Sequence, residues 1–115
     1  MSTKVTTLLV PNSMGKKISG FVINAGYGMK GKSRWICEAI TSFLELDDYQ
    51  HLATLNNEFS ELSESLSFRV PQEIDDALKK AIVEIRKQFP DAEGVKSNII
   101  RASILQRMVK QELFN

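Results

Sequence analysis

Apolar and polar residues alternate along two short stretches of the chain, and both stretches end in Val-Pro. The first is Thr6-Thr7-Leu8-Leu9-Val10-Pro11, and the second, 60 residues later, is Leu66-Ser67-Phe68-Arg69-Val70-Pro71. Alternation with a period of two is typical of a strand that has one buried face. Because proline cannot donate to a strand ladder but suits the first turn of a helix, each Val-Pro marks a change from strand to helix.

Apolar residues recur at helical spacing after each proline. In the first half they are Ile18, Phe21, Val22 and Ala25. Ser13 is a candidate N-cap there, while Gly15 and Gly20 weaken this helix. In the second half they are Ile74, Ala77, Leu78, Ala81, Ile82, Ile85 and Phe89, and Pro90 ends the helix. The second of these two helices is therefore the stronger prediction.

Both halves then turn through glycine and restart at a Lys-Ser pair. The two segments are Gly31-Lys32-Ser33 and Gly94-Val95-Lys96-Ser97. Serine is expected to cap each of these second helices. The inward residues are Trp35, Ile36, Ala39, Ile40, Phe43 and Leu44 in the first half, and Ile99, Ile100, Ile104 and Met108 in the second. Each half is thus predicted as strand, helix, turn, helix.

The repeat divides the chain into three segments. Residues 1–45 form the first unit, residues 46–64 an acidic and partly helical linker, and residues 65–115 the second unit. With 115 residues and 43% hydrophobic content, the chain can bury one modest core, so the two units are expected to share one domain. The expected fold is mainly α with a two-stranded antiparallel β-ribbon, an α+β arrangement. Pairing within one chain is the simplest prediction, and domain-swapped pairing between chains is the alternative.

Charge is distributed unevenly along the chain, although the net charge is only +1. Residues 1–34 hold six Lys/Arg and no acid, and residues 35–68 hold seven acids and no Lys/Arg. Residues 69–115 hold nine basic and seven acidic residues. A basic end therefore meets an acidic middle, and this asymmetry alone is as typical of solvated faces as of a charged partner.

Several classes of function find no support in the residues. Cys37 is the only cysteine and His51 the only histidine, so neither a disulfide nor a zinc cluster is expected. The apolar stretch from Leu8 to Val10 is too short for a signal peptide or a membrane span. We therefore expect a cytoplasmic protein that is not an enzyme, with no catalytic residues, no metal, no cofactor and no membrane partner.

In its repeated strand-helix-helix pattern, the chain resembles the ribbon-helix-helix family of MetJ/Arc-type DNA-binding proteins. The resemblance covers most of the chain except the linker, and it implies two such motifs whose ribbon enters the major groove of double-stranded DNA. In that family the outward strand residues two, four and six positions before the proline read bases. The corresponding residues of the second strand are Arg69, Ser67 and Ser65, and those of the first are Leu9, Thr7 and Val5.

The first strand departs from the usual polar trio of the family, because Val5 and Leu9 could contact only thymine methyls or sugars. The family also holds DNA phosphates at the N-terminus of its second helix, where free N–H groups and the helix dipole favour an anion. The residues implied here are Lys32, Ser33, Arg34, Lys96, Ser97 and Asn98.

The tandem arrangement resembles that of relaxosome accessory proteins of the TraY type used in plasmid conjugation. It implies a transcriptional repressor of a small operon, or an accessory protein at a plasmid transfer origin or partition site, associated with the nucleoid or a plasmid. The chain could also bind a further copy of itself on DNA. The alternative from a different class is an adaptor or antitoxin-like module whose acidic 46–64 linker docks a basic protein partner.

Overall fold

The computed structural model describes residues 3–28, 30–55 and 61–114. Two strands and five helices lie in these ranges: β1 (Thr3–Pro11), α1 (Asn12–Asn24), α2 (Lys32–Leu44), α3 (Tyr49–Leu55), β2 (Leu62–Pro71), α4 (Gln72–Gln88) and α5 (Val95–Phe114). The described chain is mainly helical with a two-stranded antiparallel sheet. The expected fold class is confirmed at this level.

Strands β1 and β2 pair with each other within the single chain. The register places Val5 opposite Arg69, Thr7 opposite Ser67 and Leu9 opposite Ser65. Each of these residues is exposed, and the residues between them are buried. The alternation in the sequence therefore corresponds to one exposed face of the sheet, called the wet face below, and one buried face, called the dry face. The predicted antiparallel pairing is confirmed.

Both strands are longer than the alternating stretches predict. β1 begins at Thr3, and β2 begins at Leu62, inside the segment assigned to the linker. Each strand extends as far as the other provides backbone to pair with, from Thr3 opposite Pro71 to Pro11 opposite Leu62, with an irregularity after Val10. The linker also contains helix α3. Residues 56–60 of the linker lie outside the described residues.

The core lies between the dry face of the sheet and the helices. From the sheet it takes Leu8, Val10, Leu66, Phe68 and Val70. The largest fully buried helical side chains are Trp35, Ile36, Ile40, Phe43, Leu78, Ile85, Ile99, Ile100 and Ile104. Since all of these helical residues fall on the predicted stripes, the helical faces were assigned correctly. In the ranges that the structure describes, no helix is both long and apolar enough to cross a membrane.

Serine does not cap the helices, contrary to the sequence prediction. Helix α1 follows Pro11, so Ser13 lies inside it, and α2 follows Gly31, so Ser33 occupies its first turn. Ser97 is likewise the third residue of α5. A side chain on Gly31 would collide with Tyr27, and Gly94 has a φ of +60°, so glycine is required for the tight turn before each helix. The serines are thereby displaced into the helices.

Candidate nucleic-acid interface

The wet face of the ribbon carries all six residues predicted to read bases. They form three cross-strand pairs, Val5–Arg69, Thr7–Ser67 and Leu9–Ser65. All six are exposed, and Val5 and Leu9 retain 62% and 49% of their accessible surface. The central pair is joined by a hydrogen bond between the Thr7 and Ser67 hydroxyls at 2.8 Å. The strands thus bring these six side chains together on one exposed surface.

The cross-strand pairs on this face are of the closely spaced kind. The N–H and the carbonyl oxygen of Arg69 both bond to α2, at the outer edge of β2, and so point away from β1. Arg69 and Val5 therefore form a non-hydrogen-bonded pair, in which the Cα atoms lie about 4.5 Å apart. Because backbone direction alternates along a strand, the other two pairs of this face are of the same kind. Side chains opposite each other are close enough to contact neighbouring groups of one ligand.

The start of α2 is fastened to the outer edge of β2. Ser33 Oγ accepts a hydrogen bond from the Arg69 N–H at 2.9 Å, and the Cys37 thiol donates to the Arg69 carbonyl oxygen at 3.5 Å. Burial, with a smaller contribution from Glu38, raises the pKa of the Cys37 thiol to about 11. The thiol therefore stays protonated at neutral pH and can keep donating. These contacts set the Lys32-Ser33 helix start beside Arg69.

The start of α5 is fastened to the outer edge of β1 by a buried arginine. Arg101 Nη1 donates to the Leu9 carbonyl oxygen at 2.6 Å, and its Nη2 donates to Asn98 Oδ1 at 2.9 Å. Burial lowers the pKa of the Arg101 guanidinium below its ordinary value. The Asn98 amide also donates to the Glu93 carbonyl oxygen at 3.3 Å, and Asn98 is only 8% exposed. The Asn98 side chain therefore has a structural role in the start of α5, and its assignment to phosphate contact stays a prediction.

Each helix start has backbone N–H groups without a partner inside the helix. The first bond in α2 runs from the Trp35 N–H to the Gly31 carbonyl oxygen at 2.9 Å, so the three preceding amides have no partner within the helix. In α5 the first bond runs from the Asn98 N–H to Gly94 at 2.9 Å, with the same consequence. Within the described ranges, neither Lys32 nor Lys96 forms an ion pair. Both helix starts therefore combine amides, a serine and an uncompensated lysine.

Arg34 belongs to a cluster that fixes the turn before α2. Its Nε donates to Glu38 Oε2 at 3.2 Å, and its guanidinium lies 5.3 Å from the centre of the Tyr27 ring. The Tyr27 hydroxyl donates to Glu38 and accepts a hydrogen bond from Arg107 Nη2 at 2.8 Å. The Tyr27 hydrogen bond, followed by the two arginines, lowers the pKa of Glu38. Arg34 remains at the surface, with its side chain 77% exposed.

Lys4 is the basic residue of β1, and it forms an ion pair with an acidic residue of α4. Asp75, on α4, lies 3.3 Å from Lys4 Nζ and 3.1 Å from Lys79 Nζ, and its side chain is only 5% exposed. The hydrogen bond from Lys79, and then that from Lys4, lowers the pKa of Asp75 despite its burial. One of the six basic residues in the segment 1–34 therefore joins β1 to α4.

Sequence reasoning missed Arg101, whose guanidinium donates to the Leu9 carbonyl oxygen of the ribbon. A signal was present: aligning the two Lys-Ser pairs, 64 residues apart, places Arg101 at the position of Cys37. Neither Asp75 nor Tyr27 was assigned a role from the sequence.

Comparison of the chain with protein-family models, with curated proteins and with solved structures finds no match. What can be said of function therefore depends on the wet face of the ribbon and on the two helix starts beside it. These groups are an exposed row of side chains that can bond to a ligand, flanked on opposite edges by two anion-favouring sites. A groove of alternating base edges bounded by phosphates has the complementary pattern.

Proposed function

We propose that the protein binds double-stranded DNA in a sequence-specific manner, by inserting the β-ribbon into the major groove. One observation carries the proposal: the three exposed cross-strand pairs lie between the N-termini of α2 and α5, each fastened to an opposite outer edge of the ribbon. Adjacent strands lie about 4.8 Å apart, so a two-stranded ribbon with its side chains fits a groove about 12 Å wide. The ribbon would read bases, and the helix starts would hold phosphates on either side.

Two ribbon-helix-helix motifs in one chain would explain why the contacts of the two halves correspond. Residues 60 positions apart in the strands, Leu9 and Arg69, each offer a carbonyl oxygen at the outer edge, and residues 64 positions apart in the second helices, Arg101 and Cys37, donate to them. The Thr7–Ser67 pair has the same offset of 60 and would lie on the twofold axis that relates the two motifs. Such a monomer would have the shape of a two-chain dimer.

The chemistry of the face agrees with base reading at one end and phosphate contact at its sides. Arg69 can donate two hydrogen bonds to guanine O6 and N7, and Ser65 and Ser67 can bond to several bases. Lys32 and Lys96 would add a positive charge to the helix dipole at each phosphate. In the cell this activity would make the protein a repressor, or an accessory at a plasmid transfer or partition site.

The proposal is tested by measuring the binding of the full chain to duplex DNA by fluorescence anisotropy over a range of salt concentrations. Lys32→Ala and Lys96→Ala should each weaken binding to all duplexes alike and lower the slope of log affinity against log salt by about one unit. Lys87→Ala is the matched control, since this lysine is exposed in the last turn of α4, about 24 Å along the helix from the ribbon. It should leave the salt slope unchanged.

Two outcomes would count against the proposal. If both ribbon-side lysine variants stay folded and bind with the same affinity and slope as the original chain, the helix starts do not hold phosphates. If the chain binds no duplex even in low salt, DNA binding itself is wrong. The adaptor reading, in which the acidic 46–64 linker docks a basic protein, would then be the hypothesis to test.

A further inference from the structure

The two strands of the ribbon present different chemistry on the same face. β2 offers only hydroxyl groups and a guanidinium there, from Ser63, Ser65, Ser67 and Arg69. β1 offers Val5 and Leu9 on either side of Thr7. Val5 and Leu9 are 62% and 49% exposed, and neither belongs to the hydrophobic core cluster. Two apolar side chains thus stand on a surface that is otherwise polar.

Strand preference explains only part of this pattern. Valine is favoured in strands, but leucine at an exposed strand position gains little from the backbone and leaves apolar surface in water. On the edges of the bases in the major groove, the one apolar group is the C5-methyl of thymine. An apolar side chain placed against any other base edge would remove a hydrogen-bonding group from water without replacing the bond, which is unfavourable. Val5 and Leu9 can therefore discriminate bases only in favour of thymine.

We infer that Val5 and Leu9 recognise the C5-methyl groups of two thymines, while Arg69 recognises a guanine beside the thymine of Val5. This inference rests on the proposed function. The register supports contacts of Val5 and Arg69 with neighbouring bases, because these two residues lie opposite each other in a closely spaced pair. Leu9 lies opposite Ser65. The target would then be asymmetric, with a guanine-containing step at one end and a thymine contact at the other.

The spacing of the two thymines follows from the strand. Val5 and Leu9 are four residues apart on one strand, which corresponds to about 13 Å. At about 3.4 Å of axial rise for each base pair, and with the groove inclined to the duplex axis, this distance spans at most about four steps of the duplex. The selected site should therefore contain two thymine positions at most about four base pairs apart.

The experiment has two stages and uses the full chain. A target is first selected from a pool of random duplexes. In that target, each thymine is then replaced by uracil, which differs only by the missing methyl group, and affinity is measured again. Each replacement at a recognised position should weaken binding about fourfold, the effect of one buried methyl group. Val5→Ala should bind the thymine and uracil forms equally at its own position and keep the discrimination at the Leu9 position.

Leu9→Ala should give the reverse result, and Lys87→Ala, at the far end of α4 from the ribbon, should keep both discriminations. The side chains removed are exposed, so a thermal melt is sufficient to establish that each variant is folded. If the original chain binds thymine and uracil duplexes equally, or if Val5→Ala and Leu9→Ala keep its full discrimination, thymine recognition is wrong although DNA binding stands. If no duplex is bound, the proposed function fails, and this inference fails with it.

Discussion

The two outer edges of the ribbon are fastened to their helices by different groups. On β2, the Arg69 carbonyl oxygen accepts a thiol hydrogen from Cys37 at 3.5 Å, and Ser33 accepts from the neighbouring N–H. On β1, the Leu9 carbonyl oxygen accepts from the guanidinium of Arg101 at 2.6 Å. One edge is therefore held by two neutral contacts, and the other by a buried charge.

This difference shows that different donor groups can hold a strand edge against a helix in the same arrangement. An edge strand leaves backbone groups unpaired, and burying them without a partner is unfavourable. A thiol is a weak donor, so on β2 the serine makes a second contact with the same residue. A guanidinium is a strong donor but is itself costly to bury, so Arg101 also bonds to Asn98. The β1 edge should therefore be more sensitive to mutation than the β2 edge.

The largest expected effect is on stability and compares the two donors directly. Arg101→Met keeps much of the side-chain length but leaves the Leu9 carbonyl and the Asn98 amide oxygen without their charged donor, and should lower the free energy of unfolding by about 2–4 kcal/mol. Cys37→Ala, at the corresponding position on the other edge, should cost about 1 kcal/mol. Urea denaturation of both variants measures the difference. Equal losses would mean that the two edges are held equally.

The second prediction concerns Arg69, the residue of β2 that corresponds to Leu9 of β1. If the ribbon binds DNA as proposed, Arg69→Ala should weaken binding to the selected target by about 1–3 kcal/mol and relax the preference at one base pair, because Arg69 is the only charged hydrogen-bond donor among the six paired residues of the wet face. Anisotropy titrations with the target and with a random duplex measure it. Equal losses on both duplexes would show that Arg69 contacts a phosphate instead of a base.

The third prediction concerns the two ends of the ribbon. At one end Lys4 of β1 bonds to Asp75. The corresponding residue of β2, Glu64, lies 60 positions later at the other end of the ribbon and packs over Gly15. Asp75→Asn should lower the free energy of unfolding by about 1 kcal/mol at neutral pH, because both lysine partners are largely exposed. Asp76→Asn, at an exposed position of the same helix, is the control and should have little effect.

The stabilising effect of Asp75 depends on pH in a defined direction. The pKa of Asp75 is lowered in the folded chain from an ordinary value of 3.8. Its contribution is therefore complete at pH values above that ordinary value and is lost as the pH falls through the lower, folded pKa. The difference in the free energy of unfolding between the original chain and Asp75→Asn should be constant from about pH 5 to about pH 7. It should become smaller below about pH 4. A difference that grows in acid would contradict the assignment.

The smallest expected effect concerns the serines of the two helix starts. Ser33→Ala removes the acceptor for the Arg69 N–H and should cost about 0.5–1 kcal/mol, since water can replace the hydroxyl at this exposed site. Ser97→Ala should cost less, because in the described part of the chain Ser97 makes no bond to a strand. Thermal melts of the two variants measure the order. A larger loss for Ser97→Ala would reverse the comparison.

Periodicity was sufficient to predict the main elements and the exposed face of the ribbon. The period of two placed Val5, Thr7, Leu9, Ser65, Ser67 and Arg69 on one side, and the helical period identified the buried stripes of α2, α4 and α5. These predictions succeed because burial of alternating or helically spaced side chains depends on local geometry alone. The cross-strand register was not predicted, because alternation within each strand does not specify which residue of the other strand lies opposite.

Contacts between distant residues could not be predicted in this way. A serine before an apolar run is a common N-cap, but whether glycine takes that place depends on how closely Tyr27 approaches Gly31 in the folded chain. Arg101 lies on a helix whose surface positions also carry basic residues, so its charge gave no sign of burial. Asp75 was similarly hidden in an acidic first turn. Each of these roles depends on a partner more than 30 positions away or on a turn conformation that the residue pattern does not encode.

Because both strands belong to one chain, the ribbon forms in a first-order step whose equilibrium does not depend on protein concentration. A ribbon assembled from two separate chains would dissociate on dilution, whereas here each strand keeps a fixed effective concentration around the other. The covalent connection has a second effect. In a symmetric pair of identical chains every substitution appears twice, but here one strand can change while the other is kept. Leu9 can therefore stand at the position that corresponds to Arg69.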